Sequence, residues 1–229
     1  MSEIEEVAKT TGKAIDAARE AGGFLARFAQ KPLEQVAGIV WDHYTYIRWE
    51  RRVRLMARAD QFLKDQGLTG PTRAVPLKFA HPIMLEGSLE ESDELQDRWA
   101  QLLVNAADKD SGVTVQQMYI SILKDLSPQD ARVLDAIDAI VTPSEWSFKV
   151  EGSPEGFVVR IPHQSEVTPT ENESAVSPDL QLVLGNLGRL GLISIDRVWS
   201  GVTLYGGLTK TLLGQEFVKA CSVRPAASN

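Results

Sequence analysis

The chain has 229 residues, 43% of them hydrophobic and 24% charged, which is enough apolar side chain for an ordinary core and excludes a wholly disordered protein. Its 31 acidic residues against 24 basic ones leave a net charge of −7, the wrong sign for a general nucleic-acid binder, which needs clustered excess Lys and Arg to neutralise phosphate. Cys221 stands alone, which excludes an intramolecular disulfide or a Cys-based zinc cluster; with no secretory leader pattern and no apolar run of about 20 residues, the expected compartment is cytoplasmic.

From Glu3 to Gln30, the residues Ile4, Ala8, Thr11, Ile15, Ala18, Gly22, Leu25 and Ala29 recur three or four apart and make one helical stripe with a mostly small seam. Glu3, Glu5, Glu6, Asp16 and Glu20 outnumber Lys9, Lys13, Arg19 and Arg27. The stripe is therefore read as packing against another helix, because an interfacial helix shows a basic face and bulkier apolar residues. Pro32 suits the first turn of a second helix predicted to run to about Gln66, with a break near His43. Gly67 supplies its stop and Gly70-Pro71 a turn.

On this second helix Arg51, Arg54 and Arg58 share a face with Glu50, Gln61 and Lys64. Such a row is a candidate strip for an anion or an acidic partner, weighed against the commoner solvated face, which is the reading preferred. Arg48 and Arg52 project instead toward Trp49, Val53, Leu55, Met56, Ala59 and Leu63, where a charge must snorkel to water or meet a carboxylate.

Ser88 and Glu91 have capping-box spacing ahead of a helix with Leu95, Trp99, Leu102, Leu103 and Ala106 on its apolar face. Thr114 to Leu126 repeats the pattern through Val115, Met118, Ile122 and Leu126. Ser127-Pro128-Gln129-Asp130 is a second start signal, with Val133, Leu134, Ile137 and Ile140 as its core face. After Pro143, Trp146, Phe148 and Val150 alternate with polar residues, and Phe157 to Ile161 is apolar. The turn residues Gly152, Ser153, Pro154 and Gly156 between them predict a hairpin.

Pro162 to Ser177 is polar and is read as a flexible loop. Ser177-Pro178-Asp179 opens a helix carrying Leu180, Val183, Leu184, Leu187 and Leu190, stopped by Gly191. Gly185 and Gly188 within it are read as close packing. Two strands follow, Leu192 to Ile195 and Val202 to Tyr205, then a last helix capped by Thr209 with Leu213, Phe217, Val218 and Cys221 inside, and a frayed tail over 222–229.

No catalytic arrangement emerges from these residues. His43, His81 and His163 lie far apart without metal-ligand spacing, and each reads as a surface or turn residue. There is no phosphate-binding glycine pattern and no nucleophile elbow. No cofactor and no metal are expected, and the protein is read as a non-enzyme.

The order helix, strand pair, helix, strand pair, helix is that of a winged helix. Its recognition-helix surface would be Gln181, Asn186 and Arg189. From Ser127 onward twelve acids face eight bases, so a protein-binding version is preferred to a DNA-binding one.

Two stretches resemble the abortive infection alpha family of bacterial proteins. They are Pro82 through Leu103, with its acidic-then-Leu-Trp-Ala-Leu-Leu pattern, and Ile122 through Ala131; Leu187 to Ile193, Leu208-Thr209 and Gly214 to Phe217 add to it. The resemblance covers about Gly38 to Cys221 and implies a role in bacterial defence against phage, with no catalytic residues to carry over.

The fold expected is mainly α with a small α+β part: a helical region over 1–126, then a winged-helix-like domain over 127–221 with a loop near 162–177. The function expected is a non-enzymatic component of anti-phage defence with a protein partner. A DNA-binding regulator and a membrane-active effector using the N-terminal helix are the alternatives, and the sequence does not set the oligomeric state.

Overall fold

The structure, a computed structural model, describes residues 19–20, 22–30, 49–139, 149–153, 156–160, 176–197 and 203–223. The chain forms two compact units: residues 1–124 joined by 220–229, and Asp125–Lys219. It is mostly helical with two two-stranded antiparallel ribbons.

In the first unit a helix over residues 22–29 (α1) is followed by α2 (Trp49–Asp65), α3 (Leu77–Leu89), α4 (Asp93–Ala107) and α5 (Gln117–Asp125). α4 is the hub and packs on both α2 and α3. Its predicted apolar face, Leu95, Trp99, Leu102, Leu103 and Ala106, is buried, but so are Gln96, Arg98, Gln101 and Asn105 on its other sides. α2 contributes Leu55, Met56, Ala59, Phe62 and Leu63, and α1 contributes Phe24, Leu25, Phe28 and Ala29.

The stop of α2 forms as read. Gly67 takes φ +74°, Leu68 N donates to Leu63 O at 2.8 Å and Gly67 N to Lys64 O at 2.8 Å, which is the Schellman pattern that favours glycine.

Three local readings are corrected here. His81 and Pro82 do not flank a turn: they lie inside α3, where Pro82 is tolerated because Ala80, Ile83, Met84, Gly87 and Ser88 are buried around it. Ser88 is therefore not a cap, and its hydroxyl donates to Met84 O at 2.6 Å within α3. The cap of α4 is Ser92, whose Oγ accepts from Leu95 N, while Glu90 Oε1 accepts from Ser92 N at 2.8 Å. α5 begins at Gln117 and buries Tyr119, Ile120, Ile122 and Leu123. Its phase leaves Met118, expected inside, 50% exposed.

In the second unit α6 (Pro128–Asp138) opens with the predicted capping box. Asp130 N donates to Ser127 Oγ at 3.1 Å and Ser127 N donates to Asp130 Oδ2 at 2.8 Å. β1 (Lys149–Ser153) pairs with β2 (Gly156–Arg160) from Lys149↔Arg160 to Ser153↔Gly156, so Gly152 and Ser153 belong to the strand and not to the turn. Trp146, Phe148 and Ile140 lie outside the described residues.

α7 (Pro178–Arg189) has Ser177 as its cap and ends in a second Schellman turn at Gly191, φ +74°, with Leu192 N donating to Leu187 O at 3.0 Å. β3 (Ile193–Arg197) and β4 (Thr203–Lys210) pair from Ile193↔Lys210, with an irregularity between Ile195 and Arg197. β4 runs further than read, so Thr209 is a strand residue. The closing helix, α8 (Leu212–Cys221), is capped instead by Thr211, whose Oγ1 accepts from Gly214 N at 2.9 Å. β1 lies against β4 and α7. The core gathers Val133, Leu134, Ile137, Leu180, Leu184, Leu187, Leu192, Leu208 and Phe217.

Candidate functional site

Both surfaces singled out in the sequence lie on described helices. Arg51, Arg54 and Arg58 occupy successive turns of α2 and face the first two turns of α4. Arg51 pairs with Asp93 and also donates to Glu91 O. Arg54 Nη1 lies 2.9 Å from Asp97 Oδ1 and donates to Gln96 Oε1 at 2.9 Å. Arg58 grips Asp97 with two bonds, Nε to Oδ1 at 2.9 Å and Nη2 to Oδ2 at 2.6 Å, while its guanidinium stacks over the Phe62 ring at 4.4 Å.

The row is partly exposed, and all three of its guanidinium groups are held by carboxylates of α4. Behind it the buried Gln96 amide donates from Nε2 to Arg51 O at 3.0 Å and Gly87 O at 2.9 Å, tying three helices together. Arg52, read as a charge on the apolar side, is buried; Arg48 lies outside the described residues.

The ladder carries a pH dependence. The hydrogen bond from Arg51 holds the Asp93 carboxyl below its ordinary value of 3.8, against an opposing effect of burial and with smaller help from the charges of Arg54 and Arg51. Its contribution to stability is therefore present above that ordinary value and is lost as pH falls through the lowered one. Arg58 moves upward, first through its hydrogen bond to Asp97 and against burial. Arg58→Gln is expected to cost about 0.5–1 kcal/mol at neutral pH, the upper part of the range for half-exposed pairs, since its geometry is bidentate. Urea midpoints of variant and parent should differ at neutral pH, and the difference should shrink in an Asp97→Asn background. A difference that persists in that background would mean that Arg58 acts by packing on Phe62.

On α7 each of the three candidate donors has a partner within the second unit. Gln181 Nε2 donates to Val176 O at 3.1 Å. Asn186 Nδ2 donates to Asp125 O at 3.2 Å and Asp130 Oδ2 at 2.9 Å, joining the capping box of α6. Arg189 donates from Nε and Nη2 to Asn186 Oδ1 at 3.1 and 2.8 Å, and from Nη2 to Asp125 Oδ2 at 3.2 Å. Beside the Arg189 guanidinium, which stays 59% exposed, α7 shows outward the Asp179 carboxylate and Leu182, 74% exposed, at the rim of a shallow cleft of about 300 Å³ between the starts of α6 and α7. A second shallow groove, of about 370 Å³, runs between α1 and α2, with the Arg27–Asp60 ion pair at its edge.

Among the described residues no group of three or more His, Cys, Asp or Glu is placed to hold a metal ion. His81 is half-buried within α3, and His43 and His163 lie outside the described residues. Burial pushes the Cys221 thiol up to about 12, against a smaller opposing effect of the Arg98 charge. That shift makes it a protonated and unreactive group in the folded chain. No described helix is long and apolar enough to cross a membrane.

Sequence reasoning missed the polar residues that organise the first unit. Arg73 donates from Nε and Nη2 to Ala106 O at 2.9 and 2.7 Å and from Nη2 to Val113 O at 2.9 Å, closing the carbonyl end of α4. Asn105 binds the far end of the chain. A signal was present in Gln101 and Asn105, polar residues four apart on a helix otherwise rich in Leu and Ala, but their partners are distant in sequence.

The fold defines a mainly helical protein in two compact units, the first built on an ion-paired helix hub and the second carrying two β-ribbons. The family model described as abortive infection alpha matches residues 50–221, and the chain belongs to that family. Membership associates it with abortive infection, a bacterial defence against phage. No curated protein and no solved structure matches the chain.

Proposed function

We propose that the protein serves phage defence as a non-enzymatic component that binds a protein partner in the cytoplasm through a winged-helix-like second unit. The order α6, β1–β2, α7, β3–β4, α8 supports the winged-helix reading, with α7 in the place of the recognition helix. The observation that carries the choice of partner is that Asn186 binds Asp125 O and Asp130 and that Arg189 pairs with Asp125 at the surface, so the donors of both are occupied within the unit. Base recognition needs side-chain donors free to reach the groove, and those of α7 are already engaged. Asp179 at the leading end of α7 repels phosphate, and the unit as a whole is acidic. The apolar side of α1, with Phe24, Leu25, Phe28 and Ala29 buried, is occupied by the fold, which argues against its use on a membrane.

The test has two arms. Cells carrying the gene are challenged with phage, and culture survival is expected at low phage dose with collapse at high dose, the pattern of a defence that sacrifices infected cells. The full chain is then used to select from random DNA duplexes at physiological salt, and no consensus is expected. Recovery of a consensus that Arg189→Ala abolishes would put a DNA-binding regulator first.

A further inference from the structure

From Ala220 onward the chain belongs again to the first unit. Ala220 and Cys221 are buried there, 0% and 3% exposed, although the chain has travelled through the whole second unit to reach them. Asn105 in α4 holds them: its Nδ2 donates to Ala220 O and to Ser222 O, both at 3.0 Å. α8 has no glycine after its end, since Ser222 and Val223 follow. The Asn105 amide therefore supplies donors that a terminal helical turn otherwise takes from a backbone stop or from water.

The seat is polar and incompletely satisfied. Asn105 Oδ1 accepts from Gln101 Nε2 at 3.0 Å and, more weakly, from Gln66 Nε2 at 3.5 Å. The other ends of those two amides, Gln101 Oε1 and Gln66 Oε1, are buried with no hydrogen-bond partner among the described residues. Such atoms raise the free energy of the closed state, and water would satisfy them once the chain end lifted. The buried side chains of the segment, Ala220 and Cys221, are both small, so their own hydrophobic burial opposes lifting only weakly. Val223 is already 56% exposed and adds no anchor.

We propose that residues 220–222 are a releasable strap, clasped by Asn105, which lifts from the first unit in a local opening far more frequent than global unfolding. Segments with few apolar contacts open at a fraction of the global free energy, and this one combines that feature with an imperfect polar seat. Release would bare the chain end and the Cys221 thiol together, so the thiol reports the opening. Seated, the thiol is held protonated by burial; released, it regains the ordinary value of 9.0.

Cys221 is the single thiol of the chain, so labelling by an aromatic disulfide reads the strap without engineering. The full-length protein is labelled at mildly alkaline pH across denaturant concentrations below its unfolding midpoint. The expected labelling is much slower than that of an unfolded thiol and nearly independent of denaturant. Asn105→Ala should accelerate it by about tenfold or more through loss of one buried and one partly buried hydrogen bond. Labelling that climbs with the full denaturant dependence of global unfolding would overturn the proposal, since the end would then open only with the whole fold. Labelling at the unfolded rate without denaturant would also overturn it, since the strap would never be seated. The wild-type profile alone separates these outcomes, so the proposal stays testable if Asn105→Ala does not fold.

Discussion

Trp99→Ala is expected to lower the stability of the protein by about 3–5 kcal/mol, the range for truncating a fully buried large aromatic. Trp99 is 1% exposed at the centre of α4, between the helices that flank it. Gly87 of α3 marks how closely they approach. A Cβ added there would stand 2.9 Å from Trp99 Cβ and 3.1 Å from Leu55 Cδ2, so three helices meet at one point with no room for a methyl group. The cavity left by Trp99→Ala cannot be filled by drawing α3 inward, because its backbone is already in contact at Gly87. Gly87→Ala tests the same junction from the other side and should cost about 1–3 kcal/mol through overpacking. Both are read as urea midpoints at constant slope. An unchanged midpoint for Trp99→Ala would mean that the hub of the first unit lies elsewhere.

The sequence made this hub visible because its apolar period is strong: Leu95, Trp99, Leu102, Leu103 and Ala106 fall on one helical face and are buried as read. Local chemistry was legible for the same reason. The capping box at Ser127, the cap at Ser177 and the stops at Gly67 and Gly191 depend on residues within one turn of each other. The errors arose where two local signals competed. Ser88 and Ser92 both precede acidic residues, and the packing that extends α3 through Leu89 decided for Ser92. Thr209 and Thr211 both precede α8, and the pairing of β4 to Lys210 decided for Thr211.

The candidate site was less legible, because its meaning is a matter of partners. Arg51, Arg54 and Arg58 were visible as a basic row, and Asp93 and Asp97 as acids near the start of a helix. That the two rows face each other depends on the α2–α4 contact, across about 40 residues of chain. Likewise Asn186 and Arg189 have the right chemistry for reading a base until Asp125 and Asp130 are seen to hold them. In both cases side chains offered as candidate donors are engaged within the fold.

Gly214→Ala should be the most damaging single-methyl change in the second unit, with a cost above the about 1–3 kcal/mol of ordinary overpacking. Helix propensity alone predicts the opposite sign, since alanine is favoured over glycine inside a helix by about 1 kcal/mol. The geometry overrides that preference. The start of α8 is pressed onto the chain just after the Gly191 turn, where Thr211 Oγ1 donates toward Gly191 O at 2.6 Å and Leu192 O at 3.0 Å and accepts from Gly214 N. A Cβ on Gly214 would stand 2.1 Å from Leu192 O and 2.9 Å from Leu192 C. These are backbone atoms, so no rotamer change relieves the clash, and α8 must shift and give up the Thr211 bonds. Gly185 in α7 is the matched control. It was read as a close-packing glycine, but a Cβ there meets nothing within 4 Å, unlike Gly188, whose Cβ would meet Ile195 Cδ1 at 2.9 Å. Gly185→Ala should therefore gain up to about 1 kcal/mol. Thermal or urea midpoints of the two variants should move in opposite directions from the parent. If Gly214→Ala moved upward with Gly185→Ala, α8 would not sit against Leu192, and the contact that closes the second unit would have to be drawn elsewhere.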